Sequence, residues 1–180
     1  MIIRLVRFNS YFWLALLAAA SFAGCQTESG GKSKQIASLR VHLQATDDRL
    51  EHSVASVYRA APIKIPIENT PFLTELNVAD AKVVEAHGVI AMVIKLDQKG
   101  AWILENYTGA NPGRHFPIFT QYGDKAALSR WLAAPVIQSR ITDGILSFTP
   151  DATREECEQI VEGLRNFARK EGNLPTPGKE

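Results

Sequence analysis

The sequence predicts an α+β fold, an antiparallel or mixed sheet with two helices packed on one face. Three observations predict it: period-two apolar patterns over several short segments, turn signals that join them locally without long crossovers, and two capped helical stretches. At 180 residues, 46% hydrophobic and 22% charged, the chain has the size and composition of one globular core.

Residues 1–24 read as a secretory leader. Arg4 and Arg7 open it, an apolar run follows from Tyr11 to Ala20, and the small residues Ser21, Ala23 and Gly24 precede Cys25. A membrane-spanning helix needs ~20 consecutive apolar residues, so a run of this length is better read as a signal than as a span. The tetrapeptide Phe22-Ala23-Gly24-Cys25 resembles the lipobox of bacterial lipoproteins, with Phe22 in place of the usual aliphatic residue. On that resemblance Cys25 is the lipid attachment residue, and the membrane is its partner. Each buried acyl methylene contributes about 0.8 kcal/mol, so two or three chains on one residue form a lasting anchor. Gln26 is not the aspartate associated with inner-membrane retention, which favours the outer membrane over the inner. Residues 25–35 follow as a polar, Ser/Gly/Lys-rich flexible tether.

The folded domain is expected over residues 36–170. Ile36, Leu39, Val41 and Leu43, set among Ser38, Arg40, His42 and Gln44, predict a half-buried strand. Val54, Val57, Ile63, Ile65 and Ile67 predict further extended chain, confined to edge positions by Pro62 and Pro66, and the pattern leaves its pairing open. Ala81–Glu85 and Val89–Leu96 read as a hairpin around Ala86-His87-Gly88. Asp97 caps a helix with Ala101, Leu104 and Thr108 on one side, ending near Gly109 and Pro112. Phe116, Ile118 and Phe119 predict a strand, and Ala134–Ile137 with Ile141–Phe148 predict two more about Asp143-Gly144. The last helix is the clearest element. Thr153 and Glu156 form a capping box, and Cys157, Ile160, Val161, Leu164, Phe167 and Ala168 make one apolar stripe. Residues 171–180 are polar with two prolines and read as a disordered tail.

The chemistry-bearing residues form no recognisable catalytic pattern: no Gly-x-Ser-x-Gly, no His-Glu-x-x-His and no phosphate-cradling loop. The chain therefore reads as non-enzymatic, with no catalytic, cofactor or metal residues. His42, His52, His87 and His115 are too scattered for a ligand spacing and read as solvated or hydrogen-bonded. Arg114 could face an anion but reads better as a solvated loop residue. Glu155, Glu156 and Glu158 suit the positive end of a helix dipole. Trp102 and Trp131 read as core or half-buried, and Cys157 as a small buried hydrophobe with no disulfide partner. Removing the leader leaves 18 basic and 19 acidic residues, a net −1 that argues against nucleic acid as partner.

One resemblance covers residues 71–168. Leu73-Thr74 through Ala81, Asp97–Gly100, Thr108 with Gly113-Arg114 and Ile118, Ala133-Ala134-Pro135-Val136-Ile137, and Phe148-Thr149 with Thr153–Glu156 occur in that order. Together these motifs resemble the head subdomain of the first periplasmic domain of SecD. The resemblance implies that fold, carried here on a lipoprotein of the cell envelope facing the periplasm, and contact with exported polypeptides or translocon subunits. SecD's proton-driven work belongs to membrane helices outside the matched segment, so it does not transfer. The preferred reading is a polypeptide-binding module associated with protein export, offering sheet edges to extended chains. The alternative is a structural or assembly lipoprotein that binds one folded envelope partner or the cell wall.

Overall fold

The computed structural model describes residues 35–46 and 52–175. Cys25, the leader and most of the tether lie outside the described residues.

Strand β1 (Ser38–Val41) is the hub of a four-stranded sheet with order β4-β1-β7-β8, completed by β4 (Leu73–Thr74), β7 (Ile118–Tyr122) and β8 (Leu128–Ala133). β2 (Ser53–Val57) and β3 (Ile63–Ile67) form a separate hairpin, while β5 (Val78–Ala86), β6 (Val89–Leu96) and β9 (Ile145–Phe148) form a three-stranded sheet. Among the described residues every ladder is antiparallel, which narrows the expected antiparallel or mixed sheet. The helices are α1 (Gln98–Ala110) and α2 (Arg154–Lys170).

The β5–β6 hairpin closes through the two-residue turn His87-Gly88, both in the left-handed region with φ of 54° and 76°. Such a turn matches the strand twist, and Gly88 occupies its place without steric cost. Asp97 Oδ1 accepts from Gly100 N at 2.6 Å to start α1, and the Thr153–Glu156 box starts α2 as anticipated.

One core joins Leu39, Val41 and Ile118 of the first sheet, Met92, Ile94 and Leu146 of the three-stranded sheet, Leu104 of α1, and Ile160 and Leu164 of α2. Both helices thus lie on the same face of the three-stranded sheet. Gly163 permits the closest approach, because a Cβ there would come within 2.6 Å of Ala37 N. A second, smaller cluster of Ala55, Val57, Ile65 and Ile67 seats the β2–β3 hairpin on Ala134 and Trp131. Trp131 meets Phe119 at 5.1 Å and the His42 ring at 5.6 Å between centroids, so it is half-buried as expected.

Several expectations need correction. The extended stretch near Ile36–Gln44 is a regular strand only over Ser38–Val41, although Gln44 still bridges Ile67. Ala134–Ile137 is not a strand; Pro135 interrupts it and Val136 makes one bridge, to His115. Of Ile141–Phe148 only Ile145–Phe148 is strand, and it pairs with β6. β4 and β8 were not anticipated. Trp102 is neither core nor half-buried, being 66% exposed. Residues 171–174 form turns held to the domain, where Asn173 Nδ2 donates to Leu76 O and Val78 O; residues 176–180 lie outside the described residues.

Candidate functional site

Three distant segments converge beside β8. The β2–β3 connection supplies Tyr58, Arg59 and Pro62, β8 supplies Leu128–Trp131, and the last segment supplies Asp151 ahead of α2 and Glu156 in its first turn. Between them lies an open groove of about 570 Å³. Leu128 is 52% exposed, and Tyr58 is held at φ 69°, a left-handed conformation that costs a non-glycine residue roughly 1–2 kcal/mol.

Hydrogen-bond alternation fixes what β8 presents to this groove. His42 N donates to Pro117 O at 3.0 Å, so residues 117, 119 and 121 face β1, and Ile118, Thr120 and Tyr122 face β8. Their partners on β8 are Ala133, Arg130 and Leu128. The backbone N–H and C=O of Ser129 and Trp131 therefore turn away from β7, toward the groove. At the inner end Leu132 O is already taken by Asp151 N at 2.6 Å.

The groove wall is charged yet balanced. Arg130, only 13% exposed, donates to Glu156 at 2.7 Å and lies 3.7 Å from Asp151. Arg59, 59% exposed, reaches Asp151 at 3.7 Å and Glu156 at 3.5 Å, and its backbone N–H donates to Asp151 Oδ2 at 2.8 Å. Tyr122 Oη donates to Glu156 Oε1 at 3.1 Å. Burial opposes ionisation of Glu156, but hydrogen bonds from the Thr153 N–H and Tyr122, with the two arginines, hold its carboxyl below the usual range. Burial and then Glu156 push the Tyr122 phenol up.

Comparison with known proteins places this fold. The family described as SecDF, P1 head subdomain fits residues 51–168, somewhat more than the resemblance implied. The chain belongs to the SecDF P1 head subdomain family. Two solved structures share its fold. One is described as "Crystal structure of SecDF in Super-membrane-facing form", with TM-score 0.53 and 22% identity, covering 73% of this chain and 19% of that one. The other is described as "Structure and function of a membrane component SecDF that enhances protein export", with TM-score 0.53 and 19% identity, covering 91% of this chain and 71% of that one. The chain thus spans about a fifth of the first protein. No curated protein matches it.

Elsewhere in this P1 head, Arg114, His42 and His115 have structural partners. Arg114 donates to Asn111 Oδ1 at 2.6 Å, to Glu68 at 2.8 Å and to Gln44 O, so it is spent on joining loops. His42 Nδ1 lies 2.9 Å from Glu68 O and His115 Nδ1 2.8 Å from Ala134 O. Burial lowers the His42 pKa. His87 sits in an exposed turn. Among the described residues no three His, Cys, Asp or Glu are grouped to hold a metal. Cys157 is fully buried, and burial followed by the neighbouring Glu156 pushes its thiol up to about 11, which suits packing and not nucleophilic chemistry. No helix among the described residues is long and apolar enough to cross a membrane. Glu156 does more than its capping position in the sequence indicates, because its partners Tyr122, Arg130 and Arg59 come from distant segments.

Proposed function

We propose that this chain is a lipid-anchored envelope protein whose P1 head captures extended polypeptide segments by strand addition along β8, in association with protein export. The observation that carries the reading is the outward-turned backbone of Ser129 and Trp131 opening onto a groove of about 570 Å³. Main-chain pairing gives affinity with little sequence preference, and the apolar groove wall of Leu128, Tyr58 and Pro62 offers side-chain contact. Membership of the SecDF family supports the export context, a solved relative being described as enhancing protein export. No covalent step is required of any residue.

In the same reading residues 1–24 are removed as a signal peptide, Cys25 carries the lipid, residues 25–35 tether the domain, and residues beyond the last turn trail as a polar tail. The domain faces the periplasm, with Gln26 favouring the outer membrane.

The test places a photo-crosslinking residue at Leu128 of the full chain in its host envelope. Crosslinks to unfolded exported chains or to translocon subunits are expected. A clean absence of both, with the protein intact in the membrane, rejects the proposal. Mass analysis of the N-terminal peptide, with Cys25→Ala as comparison, tests the anchor separately; acylated Cys25 is expected, and retention of residues 1–24 without lipid rejects it.

A further inference from the structure

The backbone alternation that opens Ser129 and Trp131 to the groove also decides where the side chains of a guest strand would lie. Arg130, between them, turns its own N–H and C=O toward β7. A guest residue opposite it therefore stands in a non-hydrogen-bonded pair, the kind in which facing side chains come closest, with Cα atoms about 4.5 Å apart. Its side chain takes the sheet face of Arg130, which is also the face of Thr120 and Tyr122. Guest residues opposite Ser129 and Trp131 take the other face, on which the Trp131 ring meets Phe119 and His42.

The Arg130 face is the charged one, and its charges are unequally satisfied. Glu156 accepts from Arg130 at 2.7 Å, from the Thr153 N–H at 2.8 Å and from Tyr122 Oη at 3.1 Å. Asp151 Oδ2 accepts from the Arg59 backbone N–H at 2.8 Å and lies 3.7 Å from Arg130. Both acids thus have partners without the Arg59 guanidinium. That group reaches the same Asp151 oxygen at 3.7 Å and Glu156 at 3.5 Å, well beyond the roughly 2.7–2.9 Å of a good charge-assisted hydrogen bond. Among the described residues these two long contacts are its only ion pairs, and its side chain is 59% exposed against 13% for Arg130. Its backbone, by contrast, is fixed by the bond to Asp151 and by the left-handed Tyr58 before it. The two arginine heads share one acid oxygen, so they belong to one site, and Arg59 is the cation there with donors to spare.

We infer that Arg59 selects the guest, and that the extended segment paired along β8 carries a carboxylate side chain, aspartate or glutamate, opposite Arg130. The inference rests on the proposed strand addition and adds to it a preference at one position. Main-chain pairing is blind to side chains, whereas a planar guanidinium takes a carboxylate through two parallel hydrogen bonds. A glutamine there gains only the weaker bonds of a neutral acceptor, and a lysine meets two arginines whose neighbouring acids are already engaged.

The test titrates the full chain, in detergent, against fluorescein-labelled heptapeptides of alternating valine and serine whose central serine is replaced by glutamate, glutamine or lysine. Fluorescence anisotropy gives the affinities. The glutamate peptide is expected to bind roughly fivefold more tightly than the glutamine peptide, with the lysine peptide weakest. Arg59→Gln should bring the glutamate-to-glutamine ratio to about one, Arg59→Lys should keep part of it, and Arg59→Glu should favour lysine, with far-UV dichroism verifying the fold of each variant. Salt at about 1 M, where the Debye length is about 3 Å, should shrink the ratio in the unsubstituted chain. Equal affinities for the glutamate and glutamine peptides overturn the inference and leave strand addition standing. A glutamate preference that survives intact in Arg59→Gln also overturns it, because another group then makes the selection. Absence of binding by all three peptides rejects strand addition itself and, with it, the inference.

Discussion

The edge strands β5 and β8 face solvent with different defences. On β5, alternation from the two-residue turn directs the backbone of Ala81, Val83 and Glu85 outward. The Ala81 N–H is taken by Asp80 Oδ1 at 2.9 Å, a bulge breaks the register between Val78 and Asp80, and Lys82 is exposed. Arg165 holds Asp80 and Arg154 holds Glu85 at the two ends of the strand. These are the devices by which natural sheets discourage unwanted pairing. The short edge of β9 is treated similarly, with Asp143 occupying the Ile145 N–H. Among the described residues Ser129 and Trp131 on β8 have no such guard, and an open groove lies beside them, walled by Leu128, Tyr58 and Pro62 and by the balanced charges of Arg59, Arg130, Asp151 and Glu156. This unguarded edge with room next to it is what the proposed strand addition rests on.

The largest effect should come from removing the outward donor itself. Ser129→Pro deletes an N–H that faces the groove and spares the ladder to β7, so the fold should survive. Its affinity for an unfolded model chain should fall about tenfold or more, each tenfold being about 1.4 kcal/mol. Glu85→Pro makes the equivalent change on β5 and should leave that affinity unaltered. Equal losses in a fluorescence-anisotropy titration would remove the distinction between the edges.

A second contrast lies within the groove wall. Arg130→Ala strands the partly buried Glu156 and Asp151 and should cost roughly 1–3 kcal/mol in urea unfolding. Arg59→Ala removes a mostly exposed partner of the same two acids and should cost no more than about 1 kcal/mol. If Arg59 proves the costlier, the hairpin is held by its tip and not by the Ala55–Ile67 cluster. A smaller effect is expected where guards are removed. Lys82→Val with Glu85→Val should convert β5 into an adhesive edge, seen as concentration-dependent association in sedimentation, whereas Leu128→Lys should lower any association that runs through β8.

The legible parts of this molecule are those specified locally. Asp97, the Thr153–Glu156 box and the α2 stripe each declare a helix within a few residues, and the hairpin around His87-Gly88 is read from its turn. β8 escaped because Leu128-Ser129-Arg130-Trp131 has no clean alternation: as an edge strand it buries neither face fully at this end. Ala134–Ile137 looked extended and is extended, but Pro135 and the irregular bonds of Ile137 to Gly113 and Arg114 keep it out of a regular ladder. The groove was invisible for a different reason. It joins residues near 58, 130 and 156, and no spacing in the sequence records that meeting. Family resemblance reached the fold but not the groove, because the quoted motifs mark helix starts and core positions.

The smallest predicted effect concerns pH, and it asks whether the groove wall or the core fails first. Burial depresses the His42 pKa, and hydrogen bonds and arginines depress that of Glu156 against its own burial. For both groups the unfolded chain binds more protons, so stability is fully present above the ordinary values of 6.5 and 4.5 and declines as pH falls through each folded-state value. Cys157 works oppositely. Its thiol rises from 9.0 to about 11, so its contribution is complete below pH 9 and disappears as pH climbs toward 11. Urea midpoints should therefore slope downward on the acid side in two stages, His42 before Glu156, and on the alkaline side beyond pH 9. His42→Gln should erase the upper acid stage, and Cys157→Ala the alkaline slope. Trp131 touches the His42 ring, so its fluorescence should report the first acid stage before far-UV dichroism reports any loss of fold. Should both signals change together, the hairpin and the main core unfold as one unit, and the smaller cluster gives the groove no independent freedom to open.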